Sequence, residues 1–116
     1  MNRARVGRRG EDVAAAYLHR AGFRVLEQNY RCHLGEIDIV CQDSDTLVFV
    51  EVKARTQADF AAPWASIGPA KQRRLRRLAQ QYMIRHGLES VPVRFDVVSV
   101  VLGDGRPAIE HITGAF

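Results

Sequence analysis

Apolar and polar residues alternate along this chain with two different periods, and the changes of period mark its elements. From Gly10 to Ala21 the apolar positions Val13, Ala14, Tyr17, Leu18 and Ala21 recur at the spacing of one helix face, and Gly22 supplies a stop. Phe23 to Tyr30 reads as a first strand and Arg31 to Gly35 as a loop. Two strands, Glu36 to Gln42 and Thr46 to Lys53, flank the short polar break Asp43-Ser44-Asp45 and predict a hairpin. Ala54 to Gly68 is irregular and contains Pro63, so it is expected to cross the surface as a loop. Pro69 suits a helix start; Leu75, Leu78, Ala79, Tyr82 and Met83 then form a buried stripe that runs to about His86 and stops at Gly87. Val93 to Leu102 reads as a buried strand, Gly103-Asp104-Gly105 as a tight turn, and Pro107 to Ile112 as a final strand. The predicted order is α-β-β-β-α-β-β. The strand–helix–strand step into Val93–Leu102 favours one parallel pairing, hence a mixed five-stranded sheet flanked by helices: an α/β sandwich.

The hairpin carries the candidate chemistry. With Ser44 and Asp45 as loop residues, Asp38 faces Glu51 and Glu36 faces Lys53, and opposed residues of an antiparallel pair share a face. The same register pairs Ile37 with Val52, Ile39 with Val50 and Cys41 with Val48 on the apolar reverse side. A slip of one residue would place charges among those side chains, so the pattern selects the register. Two carboxylates held opposite one another repel. A divalent cation removes that repulsion, since Mg²⁺ takes hard oxygen ligands and is commonly held by one or two carboxylates together with substrate phosphates. An adjacent ammonium, Lys53, suits the stabilisation of charge on a phosphate. Spacing alone leaves open a plainer reading, in which Glu36, Glu51 and Lys53 form solvated ion pairs on a sheet edge.

Charge adds a partner to this picture. The 116 residues carry 17 basic and 13 acidic side chains, a formal charge of +4 with a sequence pI of about 9.6, which suits a polyanion. Arginine predominates and clusters at residues 3 to 9 and again from Lys71 to Arg77. Arg5, Arg8 and Arg9 are expected in a mobile arm or frayed terminus; Lys71, Arg73, Arg74, Arg76 and Arg77 surround the apolar stripe of the second helix, as phosphate contacts or as a solvated face. Phe60 and Trp64 offer rings for stacking on an unpaired base or for pinning their loop. The size fits one domain over residues 1–116, the basic N-terminus lacks the apolar core of a secretory signal, and the expected compartment is the cytoplasm without a membrane span. Cys32 and Cys41 are expected as reduced, packed thiols. The four histidines show no triad spacing, and Asp96, early in an apolar strand, reads as structural.

Gly35-Glu36-Ile37-Asp38-Ile39-Val40 followed by Phe49-Val50-Glu51-Val52-Lys53-Ala54-Arg55 resembles the PD-(D/E)xK, or restriction-endonuclease-like, superfamily. With Gly7, Gly10-Glu11, Asn29-Tyr30-Arg31, Lys71 and Phe95-Asp96-Val97-Val98, the chain more closely resembles the bacterial UPF0102 (YraN-type) family, itself similar in pattern to archaeal Holliday-junction resolvases. Gly-Glu-Ile-Asp stands where the superfamily has Pro-Asp, and the loop from Gln57 to Gly68 lacks a glycine expected near Phe60. The resemblance implies a restriction-endonuclease-like fold, with Asp38 and Glu51 as ligands of Mg²⁺ or Mn²⁺, Lys53 as the catalytic lysine and Glu11 as a further acidic contributor. Glu11 also has a plainer reading, as a first-turn carboxylate that complements the helix dipole. Glu36 is expected to tune the site rather than bind metal. Arg8, Arg9, Arg55, Lys71, Arg73, Arg74 and Arg77 are the expected nucleic-acid contacts, with DNA favoured over RNA.

Three functions therefore compete: a metal-dependent DNA endonuclease for branched or structured DNA, a nucleic-acid-binding module without chemistry, and a protein-interaction domain whose basic helix meets an acidic partner. A homodimer would serve symmetric cutting of two strands, but no residue pattern specifies one.

Overall fold

The structure, a computed structural model, describes residues 3–57 and 67–116. In chain order the elements are α1 (Arg3–Arg20), β1 (Arg24–Cys32), β2 (Gly35–Asp43), β3 (Thr46–Thr56), α2 (Pro69–Arg85), β4 (Val93–Leu102) and β5 (Ala108–Ile112). The strands form one sheet in the order β1-β2-β3-β4-β5, with β3 and β4 parallel and the other neighbours antiparallel. This is the expected α-β-β-β-α-β-β sandwich. Two long strands buried on both sides account for the parallel pair: β3 and β4 read as near-continuous runs of valine and phenylalanine.

Each helix covers one face. On α2's side, Leu75, Leu78, Ala79 and Tyr82 pack on Tyr30, Ile37, Val40, Phe49 and Val97. On α1's side, Val6, Ala14 and Leu18 pack on Ile39, Cys41, Val48, Val50, Val98 and Val100. The α1 stripe differs from its expected course. The helix begins at Arg3 rather than near Gly10, with Val6, Gly10, Ala14 and Leu18 buried at every fourth position, whereas Ala21 lies past its last residue, Arg20, and is exposed. The anticipated arm of Arg5, Arg8 and Arg9 is therefore helical. Gly10 sits where α1 comes closest to the sheet, since a Cβ there would overlap that of Ala54. No helix among the described residues is long and apolar enough to cross a membrane. Phe60 and Trp64 lie outside the described residues.

Asp96 on β4 is wholly buried and confirmed in its structural role by its bonds. One carboxylate oxygen accepts from Arg94 Nε (2.8 Å) and the Gly114 amide (3.1 Å); the other meets Arg94 Nη2 (3.0 Å) and His111 Nε2 (2.7 Å). Arg94 continues to Asp43, and Tyr17 Oη lies 3.1 Å from His111 Nδ1, so the network ties together α1, β2, β4 and β5. Burial works against ionisation of Asp96, but the hydrogen bonds from His111, Arg94 and Gly114 outweigh it and hold its pKa below the usual carboxylate value. Its stabilising contribution is thus complete at neutral pH and is lost only as the pH falls through that lowered pKa. Asp96→Ala leaves Arg94 and His111 without their buried partner and is expected to lower stability by about 3–5 kcal/mol in chemical denaturation at neutral pH.

Candidate metal centre

The β2–β3 hairpin keeps the expected register from Asp43–Thr46 to Ile39–Val50 and then opens. On the other side of β2, pairing passes from Gln28–Ile39 to Tyr30–Ile37 around Asn29, which has a left-handed φ of 55° and stands opposite Asp38. Asp38 thus lies where β2 parts from β3, while its pairing with β1 continues in the same register on either side. Its Oδ2 accepts the Val52 amide at 2.8 Å, a side chain taking the place of a ladder bond. The expected direct pairs Asp38–Glu51, Glu36–Lys53 and Ile37–Val52 are not formed, because the strands have separated there. The interruption also inverts the alternation of β2: Ile37 joins the α2-side core, whereas Ile39 and Cys41 face α1.

Beside the opened hairpin, acids from α1 and β2 come together. Carboxylate oxygens of Glu11, Glu36 and Asp38 lie within 4.8 Å of one another. Glu11 is in the third turn of α1, so the expected first-turn role does not hold for it. With its amide nitrogen turned toward α1, Asn29 donates to both Glu11 oxygens, at 3.2 and 3.1 Å. Asn29 thus fixes Glu11 from the strand opposite Asp38. The close approach at Gly10 sets the depth from which Glu11 reaches in. Glu36 is exposed and pairs with Arg31 (2.7 Å).

A pocket of about 300 Å³ opens on the α2 side, lined by Leu34, Gly35, Glu36, Asp38, Glu51, Lys71, Arg74 and Leu75. Asp38 and Glu51 thus share a cavity though they are not a ladder pair. Glu51 accepts from Lys71 Nζ at 2.6 Å. Lys53 is two residues beyond Glu51 on the same face of β3, about 7 Å along the strand. It is half-buried, lies outside the pocket wall, and has no hydrogen bond or ion pair among the described residues. Arg55 follows on that face, half-buried. Arg73, Arg74 and Arg77 are exposed on α2, and Arg8 and Arg9 on α1, with Arg8 one turn before Glu11. Arg76 is differently engaged, lying over Phe95 and Phe116 at 5.5 Å from each ring centre.

The electrostatics of Asp38 follow from this crowding. Burial, the charge of Glu51, and then Glu11 and Glu36 push its pKa up to about 7, against the Val52 hydrogen bond that lowers it. Glu11 is raised too, first by burial. The gathered donors are all oxygen, from Glu11, Glu36 and Asp38, with Glu51 in the adjoining pocket wall, and their negative charge exceeds what the nearby Lys71 and Arg31 balance. That fits a hard divalent cation such as Mg²⁺ or Mn²⁺. The thiols take no part: Cys32 is half-buried, and burial pushes Cys41 up to about 12.

The sequence profile described as "Uncharacterised protein family UPF0102" matches residues 10–100, which contain every acidic residue of this centre. The chain belongs to the UPF0102 family. It is similar to the UPF0102 protein of Geobacter sulfurreducens, 47% identical over 112 residues, covering 96% of this chain and 88% of that protein. The UPF0102 protein of Streptomyces griseus is 49% identical over 114 residues (97% and 96%), and that of Moorella thermoacetica 47% over 118 residues (100% and 98%). Two positions of the centre were visible in sequence only in part. Asn29 stood in a family motif without a role, and its left-handed backbone has no signature beyond asparagine's tolerance of that region. Lys71 reads from sequence as one more charge of a basic helix, not as the partner of Glu51.

Asp38 makes the metal-free protein pH-sensitive in a direction opposite to Asp96. Because its folded pKa is raised, its favourable protonated state contributes fully below the ordinary value of 3.8, and that contribution is lost as pH rises through about 7. Asp38→Asn is expected to stabilise the metal-free protein at about pH 8 by on the order of 1–2 kcal/mol and to flatten the fall in stability from about pH 5 upward. Chemical denaturation across that range, with chelator present, measures both.

Proposed function

We propose that this chain is a metal-dependent endonuclease that hydrolyses DNA phosphodiester bonds, with Mg²⁺ or Mn²⁺ as cofactor and branched or otherwise structured DNA as substrate. The observation that carries the reading is Asp38. A carboxylate stands at the parting of two strands with its pKa raised first by burial and then by three other acids, an arrangement unfavourable to the fold by itself and favourable once a cation is shared. The α-β-β-β-α-β-β order and the Asp38, Glu51-Val52-Lys53 pattern support kinship with the restriction-endonuclease-like superfamily and, within it, with archaeal Holliday-junction resolvases. On this reading residues 1–116 form one nuclease-like domain acting in the cytoplasm.

Asp38 and Glu51 would hold the ion, with Glu11 contributing from α1 and Glu36 adjoining it. A divalent cation held there would supply polarisation of the phosphate and a lowered pKa for an attacking water. Lys53 reaches from β3 to neutralise charge growing on the phosphate, where a positioned ammonium in a partly buried site acts most strongly. Arg8 and Arg9 on α1, and Arg55, Lys71, Arg73, Arg74 and Arg77 on the α2 side, contact phosphates on either side of the reacting bond. Such contacts position the nucleic acid without reading sequence. A homodimer would place two such centres on opposite strands.

One observation favours a second reading, a nucleic-acid-binding module without chemistry: Lys71 already neutralises Glu51 without any metal. Cleavage assays on four-way, flapped and linear DNA with Mg²⁺ or Mn²⁺ separate the two. The nuclease reading expects metal-dependent products that fall roughly 100-fold or more in Asp38→Ala and in Lys53→Ala. Equal cleavage by all three proteins overturns it. Salt-sensitive binding with no product under any metal selects the binding module.

A further inference from the structure

We propose that Lys71 is an exchangeable counter-ion: it neutralises Glu51 while no divalent cation is bound and leaves it for a nucleic-acid phosphate when one is. The inference rests on the metal-dependent reading of the centre and assigns Lys71 a role in it separate from that of Lys53.

Local structure does not account for Lys71's position. It is the third residue of α2, whose first turn contains no acid, so its charge sits near the positive end of the helix dipole. What offsets this is Glu51 alone, 2.6 Å away and the sole hydrogen-bond or ion-pair partner of that ammonium among the described residues. The pair is graded from inside to outside. The Glu51 side chain is 11% exposed and that of Lys71 34%, so the acid lies deep and the ammonium reaches it from the pocket mouth, where Arg74 also stands. An ammonium on a flexible four-carbon stem at a pocket mouth can swing outward without disturbing the core.

The choice of residue points the same way. Of 17 basic side chains only two are lysines, and these are Lys53 and Lys71, one on β3 beside Glu51 and one bonded to it. Arginine, used everywhere else, grips a carboxylate with a planar two-pronged fork; lysine is a single compact charge that changes partners readily. Charge completes the case. Four carboxylates surround the centre, and Lys71 is the cation bonded to the deep one. A divalent ion among them would supply the neutralisation that Lys71 gives Glu51 and repel the ammonium from it. A phosphate lying over the pocket is the anion it could then meet.

Two measurements on the full chain test the exchange. Amine labelling with peptide mass spectrometry reads the freedom of Lys71, and calorimetry with Mn²⁺ reads the affinity of the centre. Labelling of Lys71 is expected to be slow without metal, to rise severalfold on adding Mn²⁺, and to be fast without metal in Glu51→Gln. Lys71→Met is expected to bind Mn²⁺ about tenfold more tightly than wild type, having lost the competing charge, while cleaving DNA more slowly at saturating metal. Lys71→Arg, which keeps the competitor, is expected to bind Mn²⁺ no more tightly than wild type. If wild type takes up Mn²⁺ while Lys71 labelling stays unchanged, or if Lys71→Met binds no more tightly, the exchange is overturned and the nuclease reading stands. If wild type takes up neither Mn²⁺ nor Mg²⁺, both fall. The labelling arm uses wild type and so does not depend on the folding of any variant.

Discussion

The opening of β2 at Asp38 is the constraint on which the centre depends. A fully paired hairpin would spend the amide of Val52 on its neighbouring strand and present Asp38 and Glu51 as surface neighbours. Instead the ladder stops at Ile39–Val50, and the Val52 amide is satisfied by Asp38 itself. A buried backbone donor keeps its partner, so parting the strands leaves no orphan there. The gap admits a carboxylate to half-buried depth, where charge interactions are stronger than on a solvated sheet. On the far side of β2 its register with β1 is kept, and Asn29, opposite Asp38, takes a left-handed backbone there.

Asp38 and Asp96 show how one residue type is turned to two ends by its donors. Asp96 receives hydrogen bonds from three residues, two of them basic, and its charge is held. Asp38 receives one amide and faces three acids, and its charge is resisted. The first arrangement fastens α1, β2, β4 and β5 to each other near the start of β4. The second leaves an electrostatic deficit in a pocket between β2, β3 and α2. Stability is concentrated in one network and given up in the other, as expected where a site must accept a charged ligand. Gly10 links the two regions: α1 is drawn close to β3 there, with Tyr17 below reaching His111 and Glu11 beside it reaching Asp38.

The order of elements, the sheet's mixed character and the hairpin register were legible in the sequence for a physical reason. Period-2 and period-3.6 burial are local properties, and misplacing Ile39, Cys41, Val48 or Val50 by one residue would turn them into water. β4 was bounded correctly at Val93 and Leu102, and α2 began at Pro69 as expected, because strong β-formers and a helix-starting proline need no tertiary help. The start of α1 was not legible. Four arginines in seven residues show no apolar stripe of their own, and Val6 becomes a core residue only because β-strands lie beneath it.

The composition of the centre divides along the same line. That Asp38 and Glu51 would line one pocket followed from two strands joined by a short turn, a relation within twenty residues of chain, although the direct pairing expected from the register does not form. That Ile37 would turn to the α2 side, that Asn29 would hold Glu11, and that Lys71 would reach Glu51 depended on how α1 and α2 dock on opposite faces of the sheet. Those dockings join residues far apart in sequence, and no local pattern encodes the distances between them. Spacing can thus name the acids that share a strand pair; only packing of helices against the sheet decides which further charges reach them and whether their repulsion is left standing.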